Sequence, residues 1–111
     1  MRNMSFFLTT DQYRNKTKTV TRRLGWANLK PGEEFMGVVK GQGIPKGGKI
    51  ERLHAVKCVS NRREPLDEIT QDDVDKEGFP HLRPIEFIKM FCKHNKCDPW
   101  QVVNRIEFTH L

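Results

Sequence analysis

The sequence predicts an α+β fold: a small mixed β-barrel flanked by short helices. Three observations carry this. Ile50 to Ser60 is a long strand candidate with apolar residues on both faces, which suits a twisted strand in a closed barrel better than an open edge. The helix signals are short and well punctuated. The 111 residues are 36% hydrophobic and 31% charged, so the core must be small and the solvated surface large.

Met4 to Leu8 is a short apolar run and reads as the first strand. Thr9-Thr10-Asp11-Gln12 has the form of a capping box, with Thr9 as N-cap and a helix from Thr10 to about Asn15. Thr19 to Arg23 is the next strand, entered from a lysine-rich turn. Leu29-Lys30-Pro31-Gly32-Glu33 is a turn, because proline pre-sets φ and glycine supplies a positive one. Phe35 to Val39 follows as a strand. Lys40 to Lys49, with four glycines and a proline, reads as a flexible hairpin connection. It lacks the Ser or Thr after Gly-Lys that a phosphate-binding loop of the Walker type needs. In the strand from Ile50 to Ser60, Leu53, Ala55 and Val59 share one face and Ile50, Val56 and Cys58 the other; Asn61 to Pro65 is then expected to turn the chain.

Thr70-Gln71-Asp72-Asp73 is a second capping signature, opening a helix over Gln71 to about Glu77 that stops at Gly78. Pro84 starts a third helix, whose stripe of Ile85, Ile88 and Phe91 runs to about His94. Asp98-Pro99 breaks it, and Trp100 to Leu111 closes the chain as a strand. There Asn104, Ile106, Phe108 and His110 share one face, and His110 is expected to be a packed core histidine.

Lysine and arginine number 20 against 14 acidic residues, a net charge of +6, which suits a phosphate-bearing or polyanionic partner. Three cysteines without framework spacing point to a reducing compartment, and a cytoplasmic location is expected. No apolar run approaches membrane-spanning length, no signal peptide is expected, and no membrane partner is expected. Cys92, His94 and Cys97 cluster, but Cys-x-His-x-x-Cys is not a usual zinc spacing and Cys92 falls on the apolar helix stripe; neither a metal nor a cofactor is expected.

The most unusual stretch is Asn15 to Trp26, where Lys16, Lys18, Arg22 and Arg23 crowd beside three threonines and a tryptophan. Lys18 and Thr21 are three apart, so they meet only if Lys18 lies on the turn entering the strand. A lysine and a hydroxyl held in a cleft form a chemically meaningful pair; on a convex surface they are a basic patch.

Four features taken in order resemble the ASCH domain of the PUA-like superfamily. They are Lys18-Thr19-Val20-Thr21-Arg22-Arg23 with Trp26 beyond, the Leu29-to-Glu33 turn, Glu77-Gly78-Phe79 after an acidic helix, and the closing Arg105-Ile106-Glu107-Phe108. The match spans nearly the whole chain and implies one PUA-like domain over 1–111. The chain departs from the family in Trp26, in the glycine-rich 40s loop, and in Glu33 where an aspartate is usual. Many members are assigned RNA binding by analogy. Some small ones are amidohydrolases that deacylate N4-acetylcytidine with a lysine, a threonine and a glutamate. The resemblance places these roles on Lys18, Thr21 and Glu77.

Amide hydrolysis needs a nucleophile, a base and a holder for the oxyanion. Thr21 is the implied nucleophile and Lys18 its base, which requires a pKa lowered by desolvation or by Arg22 and Arg23. Glu77 is expected to orient substrate or pass a proton to the leaving nitrogen. If it pairs directly with Lys18 it raises the lysine pKa, so their separation matters. Arg23 could bind a carbonyl oxygen or a phosphate. The alternative is a non-catalytic RNA-binding module on the same ground, with Lys16, Lys18, Arg22, Arg23, Arg62 and Arg63 tracking phosphates and Trp26 or Phe79 stacking a base. The expected partner is thus a modified nucleoside or RNA; the oligomeric state is left open.

Overall fold

Strands β4 (Arg52–Pro65) and β5 (Val102–His110) pair antiparallel and form the centre of the sheet. This is a computed structural model, and it describes residues 1–41, 43–44 and 46–111. β3 (Glu34–Val38) runs antiparallel along the outer side of β4, and the three-residue β1 (Asn3–Ser5) adds to it in parallel. β2 (Val20–Arg23) covers the free side of β5. The order among the described residues is β1-β3-β4-β5-β2. The connection between β3 and β4 is the expected hairpin linkage; Gln42 and Pro45 of the glycine-rich loop lie outside the described residues.

The sheet is not the closed barrel that the sequence suggested. Closure needs a ladder between the two outermost strands. β1 has only three residues and β2 four, and no ladder joins them. The gap is bridged instead by a side chain: Arg23 Nη2 donates to the Ser5 carbonyl at 2.6 Å.

β4 also departs from expectation. A register shift between Cys58 and Ser60 sets Val59 out of the ladder and leaves it 48% exposed, so it does not share a buried face with Leu53 and Ala55. Beyond this bulge, Asn61 to Pro65 stay in the strand and do not turn the chain, because each pairs with a residue of β5 from Ile106 back to Val102. The Asn61 side chain also ties down a loop. Its Nδ2 donates to the carbonyls of Trp26 and Leu29, both at 2.8 Å, and pins the turn between them.

The helices are α1 (Thr10–Arg14), α2 (Gln71–Lys76) and α3 (Pro84–Asn95), with short 3₁₀ turns at Phe7–Thr9 and Leu66–Glu68. The predicted strand from Met4 to Leu8 therefore ends at Ser5. Thr9 makes no side-chain cap; the Thr10 hydroxyl donates to the Phe6 carbonyl instead, and Gln12 reaches across to Gly78. α2 is capped as its sequence indicates, with Thr70 Oγ1 accepting from the Asp73 amide at 3.2 Å. α3 begins at Pro84, and Glu86 reaches back to the Arg83 amide at 2.9 Å.

β5 divides the apolar residues by alternation. Ile106 and Phe108 join Phe6, Tyr13, Phe35 and Val56 in one cluster, while Val103 joins Leu66, Val74, Phe87 and Phe91 in another. Arg105 shares the Val103 face and meets the buried charges described next. Among the described residues no helix is long and apolar enough to cross a membrane.

Candidate functional site

The backbone around Lys18 is fixed before its side chain does anything. After α1, Lys16 takes a left-handed conformation at φ 68°, and the amides of Thr17 and Lys18 both donate to the Gln12 carbonyl. The Thr19 amide then donates to Lys76 at the end of α2. Lys18 thus sits on the turn entering β2, and its side chain points to the residue that closes α2. That residue is Glu77. Gly78 follows at φ +103°, packed so closely on Gln12 that a Cβ there would collide with it, so only glycine lets the chain reverse here.

Lys18 Nζ donates to Glu77 Oε1 at 2.7 Å and to the Glu77 carbonyl at 2.8 Å, and both side chains are almost wholly buried. Burial pushes the Lys18 pKa below its ordinary value against the raising effect of Glu77, with smaller downward contributions from Arg23 and Arg22. Arg22, from the facing side of β2, engages three carboxylates with its guanidinium: Glu77 at 3.3 Å, Glu64 at 2.7 Å and Asp73 at 2.6 Å. Asp73 also takes a two-pronged contact from Arg105, at 2.7 and 3.0 Å. Three buried cations, Lys18, Arg22 and Arg105, are therefore matched by Glu77, Glu64 and Asp73.

Arg23 stands outside this balance. Its Nε donates to Thr21 Oγ1 at 3.0 Å, its plane lies 4.9 Å from the Phe6 ring centre, and no carboxylate pairs with it among the described residues. Burial lowers its pKa to about 10, so it remains a cation at neutral pH.

These residues border a cavity of about 200 Å³ that opens at the gap between β1 and β2. Its polar lining is Ser5, Thr9, Thr21, Arg22, Arg23 and Glu77, with His94 and Asn95 from the end of α3. Its apolar wall comes from Phe79 and from α3, through Phe87, Met90 and Phe91. Phe7 stands at 59% exposure on the same lining.

Of the residues singled out from sequence, Thr21, Arg22, Arg23, Glu77 and Phe79 border the cavity. Lys18 does not; it lies behind Glu77 and touches it directly. Two placements differ from expectation. Lys16 is exposed on the turn after α1 and is not on the cavity wall. Trp26 packs against the first core cluster beside Phe35, with Arg2 stacked 4.7 Å from its ring centre, because a half-buried indole offers more area to the core than to a ligand. The two terminal nitrogens of Arg22 are taken by carboxylates, whereas its buried Nε has no hydrogen-bond partner among the described residues.

Sequence reasoning missed the outer ring of this site. Asp73 was legible only as a first-turn acid favoured by the helix dipole, and nothing in the sequence marks Glu64 as a partner of Arg22. His110 is the packed histidine expected of it, but it does more: one ring nitrogen lies 2.7 Å from the Lys18 carbonyl and the other 2.7 Å from His54 Nε2. A carbonyl only accepts, so His110 carries its proton on Nε2 and accepts from His54 on Nδ1. Tyr13 stacks on His54, with ring centres 4.5 Å apart. Burial, aided by His110 and Lys16, lowers the His54 pKa. A histidine whose folded pKa lies below its unfolded one stabilises the fold above the ordinary imidazole pKa and loses that contribution as pH falls through the folded value. The urea midpoint is therefore expected to drop on going from pH 7 to pH 5, and to drop less in His54→Gln. Equal drops in the two proteins would show that the pair plays no part.

No protein-family model matches the chain, and no curated protein matches it either. Solved structures do, and they show that the chain has an ASCH-like fold. An ASCH domain from Lactobacillus crispatus JV V101 superposes with a TM-score of 0.56 at 13% identity, covering 93% of this chain and 70% of that one. A protein of Enterococcus faecalis V583 assigned to the family model DUF984 gives 0.62 at 11% identity, covering 91% and 68%. At such identities the likeness speaks for the fold alone.

Proposed function

We propose that the protein is an amidohydrolase that removes the acyl group from N4-acylated cytidine-type nucleosides. The observation that carries this reading is the Lys18–Glu77 pair set behind a cavity that also presents Thr21 and an unpaired arginine. Thr21 Oγ1 attacks the amide carbon. Arg23, already donating to that oxygen, favours its developing negative charge and holds the carbonyl oxygen as it becomes an oxyanion. The threonine proton passes through Glu77, which borders the cavity, towards the Lys18 amine behind it, in the fraction of molecules whose Lys18 has given up its own proton. Returned to N4, it lets cytidine leave as a free amine. Water then hydrolyses the threonine ester and releases the carboxylic acid. Desolvation of Lys18 supports the base role, because it raises the fraction of neutral amine. Phe79, bordering the same cavity, offers a face for the pyrimidine.

The test is release of cytidine from N4-acetylcytidine, followed chromatographically. Thr21→Val is expected to lower kcat by about 10²–10⁴-fold, with Thr21→Ser retaining more activity than Thr21→Val. A wild-type protein that releases no cytidine, yet binds RNA oligonucleotides with a steep salt dependence, would assign the basic surface to RNA binding instead.

A further inference from the structure

Among the described residues, the charged groups of the site pair with one another except for the half-buried Arg23. Lys18, Arg22 and Arg105 are answered by Glu77, Glu64 and Asp73. Arg23 has a hydroxyl, a main-chain carbonyl and a ring face, and no anion. Its Nη1 has no hydrogen-bond partner among the described residues and is not among the enclosed nitrogens. A guanidinium held at Nε and Nη2, in a residue that borders a cavity, is a preorganised receptor for an oxyanion.

The rest of the cavity says what that anion is attached to. Opposite the polar side stand Phe79, Phe87 and Phe91, with successive ring centres 5.9 and 6.2 Å apart. Such a wall takes a flat apolar body, while Thr9, His94 and Asn95 stand elsewhere on the same lining. Glu77 on the same lining also works against a dianion.

We propose that the cavity binds aromatic monocarboxylates, the carboxylate on Arg23 and the ring against the phenylalanine wall. This builds on the hydrolase reading, because an aromatic monocarboxylate is the acid set free from an aroyl amide, and it makes the site one that retains its acid product. Its test needs no turnover, so the two readings can fail separately.

The experiment is a titration of the full chain with benzoate, benzamide and inorganic phosphate, followed by calorimetry and by NMR of the Arg23 Nε–H and phenylalanine ring signals. Benzoate is expected to saturate, shift both sets of signals and bind at least about tenfold more tightly than benzamide, its neutral isostere. Arg23→Gln should remove that preference. Benzoate and benzamide binding equally, benzoate failing to saturate, or phosphate binding more tightly than benzoate would each overturn the proposal. The three wild-type titrations decide the matter even if Arg23→Gln fails to fold. Cytidine release without benzoate binding would remove this inference and leave the hydrolase standing; benzoate binding without release would do the reverse.

Discussion

Glu77→Ala is expected to lower the unfolding free energy by about 3–5 kcal/mol, seen as a large fall in the urea midpoint, and to abolish cytidine release. Glu77 is 3% exposed and takes both Lys18, at 2.7 Å, and Arg22, at 3.3 Å. Removing it leaves the Lys18 ammonium buried with only the Glu77 main-chain carbonyl as acceptor. Arg22 keeps Glu64 and Asp73, so most of the loss falls on Lys18. The double variant Lys18→Met/Glu77→Leu therefore separates charge from packing. It removes both ends of the ion pair, fills similar volume and should recover most of the stability while remaining inactive. A double variant as unstable as Glu77→Ala would show that the cost is one of shape.

Asp73→Asn is expected to cost about 3 kcal/mol or more and to flatten the acid limb of the stability profile. Asp73 receives Arg105 through two bonds and Arg22 through one. Arg105, followed by Arg22, holds its carboxyl well below the usual carboxylate range, against the opposing effect of burial. The folded pKa lies below the unfolded one, so the contribution is complete above the ordinary aspartate pKa of about 3.9 and is lost as pH falls towards the folded value. Wild-type protein should therefore lose stability steeply below about pH 4, and Asp73→Asn much less steeply. Arg22 retains two carboxylates in the variant, whereas Arg105 is left with Glu107 at 3.6 Å, half exposed. The penalty is thus expected to track Arg105, and Arg105→Met added to Asp73→Asn should relieve part of it.

What could be read in advance follows the range over which each signal acts. α2 and α3 carry their own punctuation in Thr70, Gly78 and Pro84, and their limits lie within a residue or so of expectation. The Lys18 turn was legible as a condition: residues three apart on a strand cannot share a face, so Lys18 could meet Thr21 only from a turn ahead of the strand. The failures involve partners distant in sequence. Asn61 to Pro65 look like a turn because they are polar and end in proline, yet β5 supplies their ladder and the Asn61 side chain serves another loop. Barrel closure could not be judged from the apolar pattern, since it depends on the lengths of β1 and β2. Trp26 suggests a base-stacking residue because its neighbours are cationic, although partial core burial, which the structure shows, is the commoner fate of a tryptophan. That Lys18 and Glu77, 59 residues apart, belong to one site became an expectation through resemblance to a family and not through any local rule, with their direct contact left open.

The arginine that spans the two sheet margins has one more consequence. Margins tied by backbone ladders can part only by breaking several bonds together, whereas these are stitched by a single side chain whose other contacts are a hydroxyl and a ring. The width of the slot is therefore set by side chains, and homologues could tailor it to bulkier or slimmer guests by altering Phe7, Phe79 or Met90 without redrawing the strands.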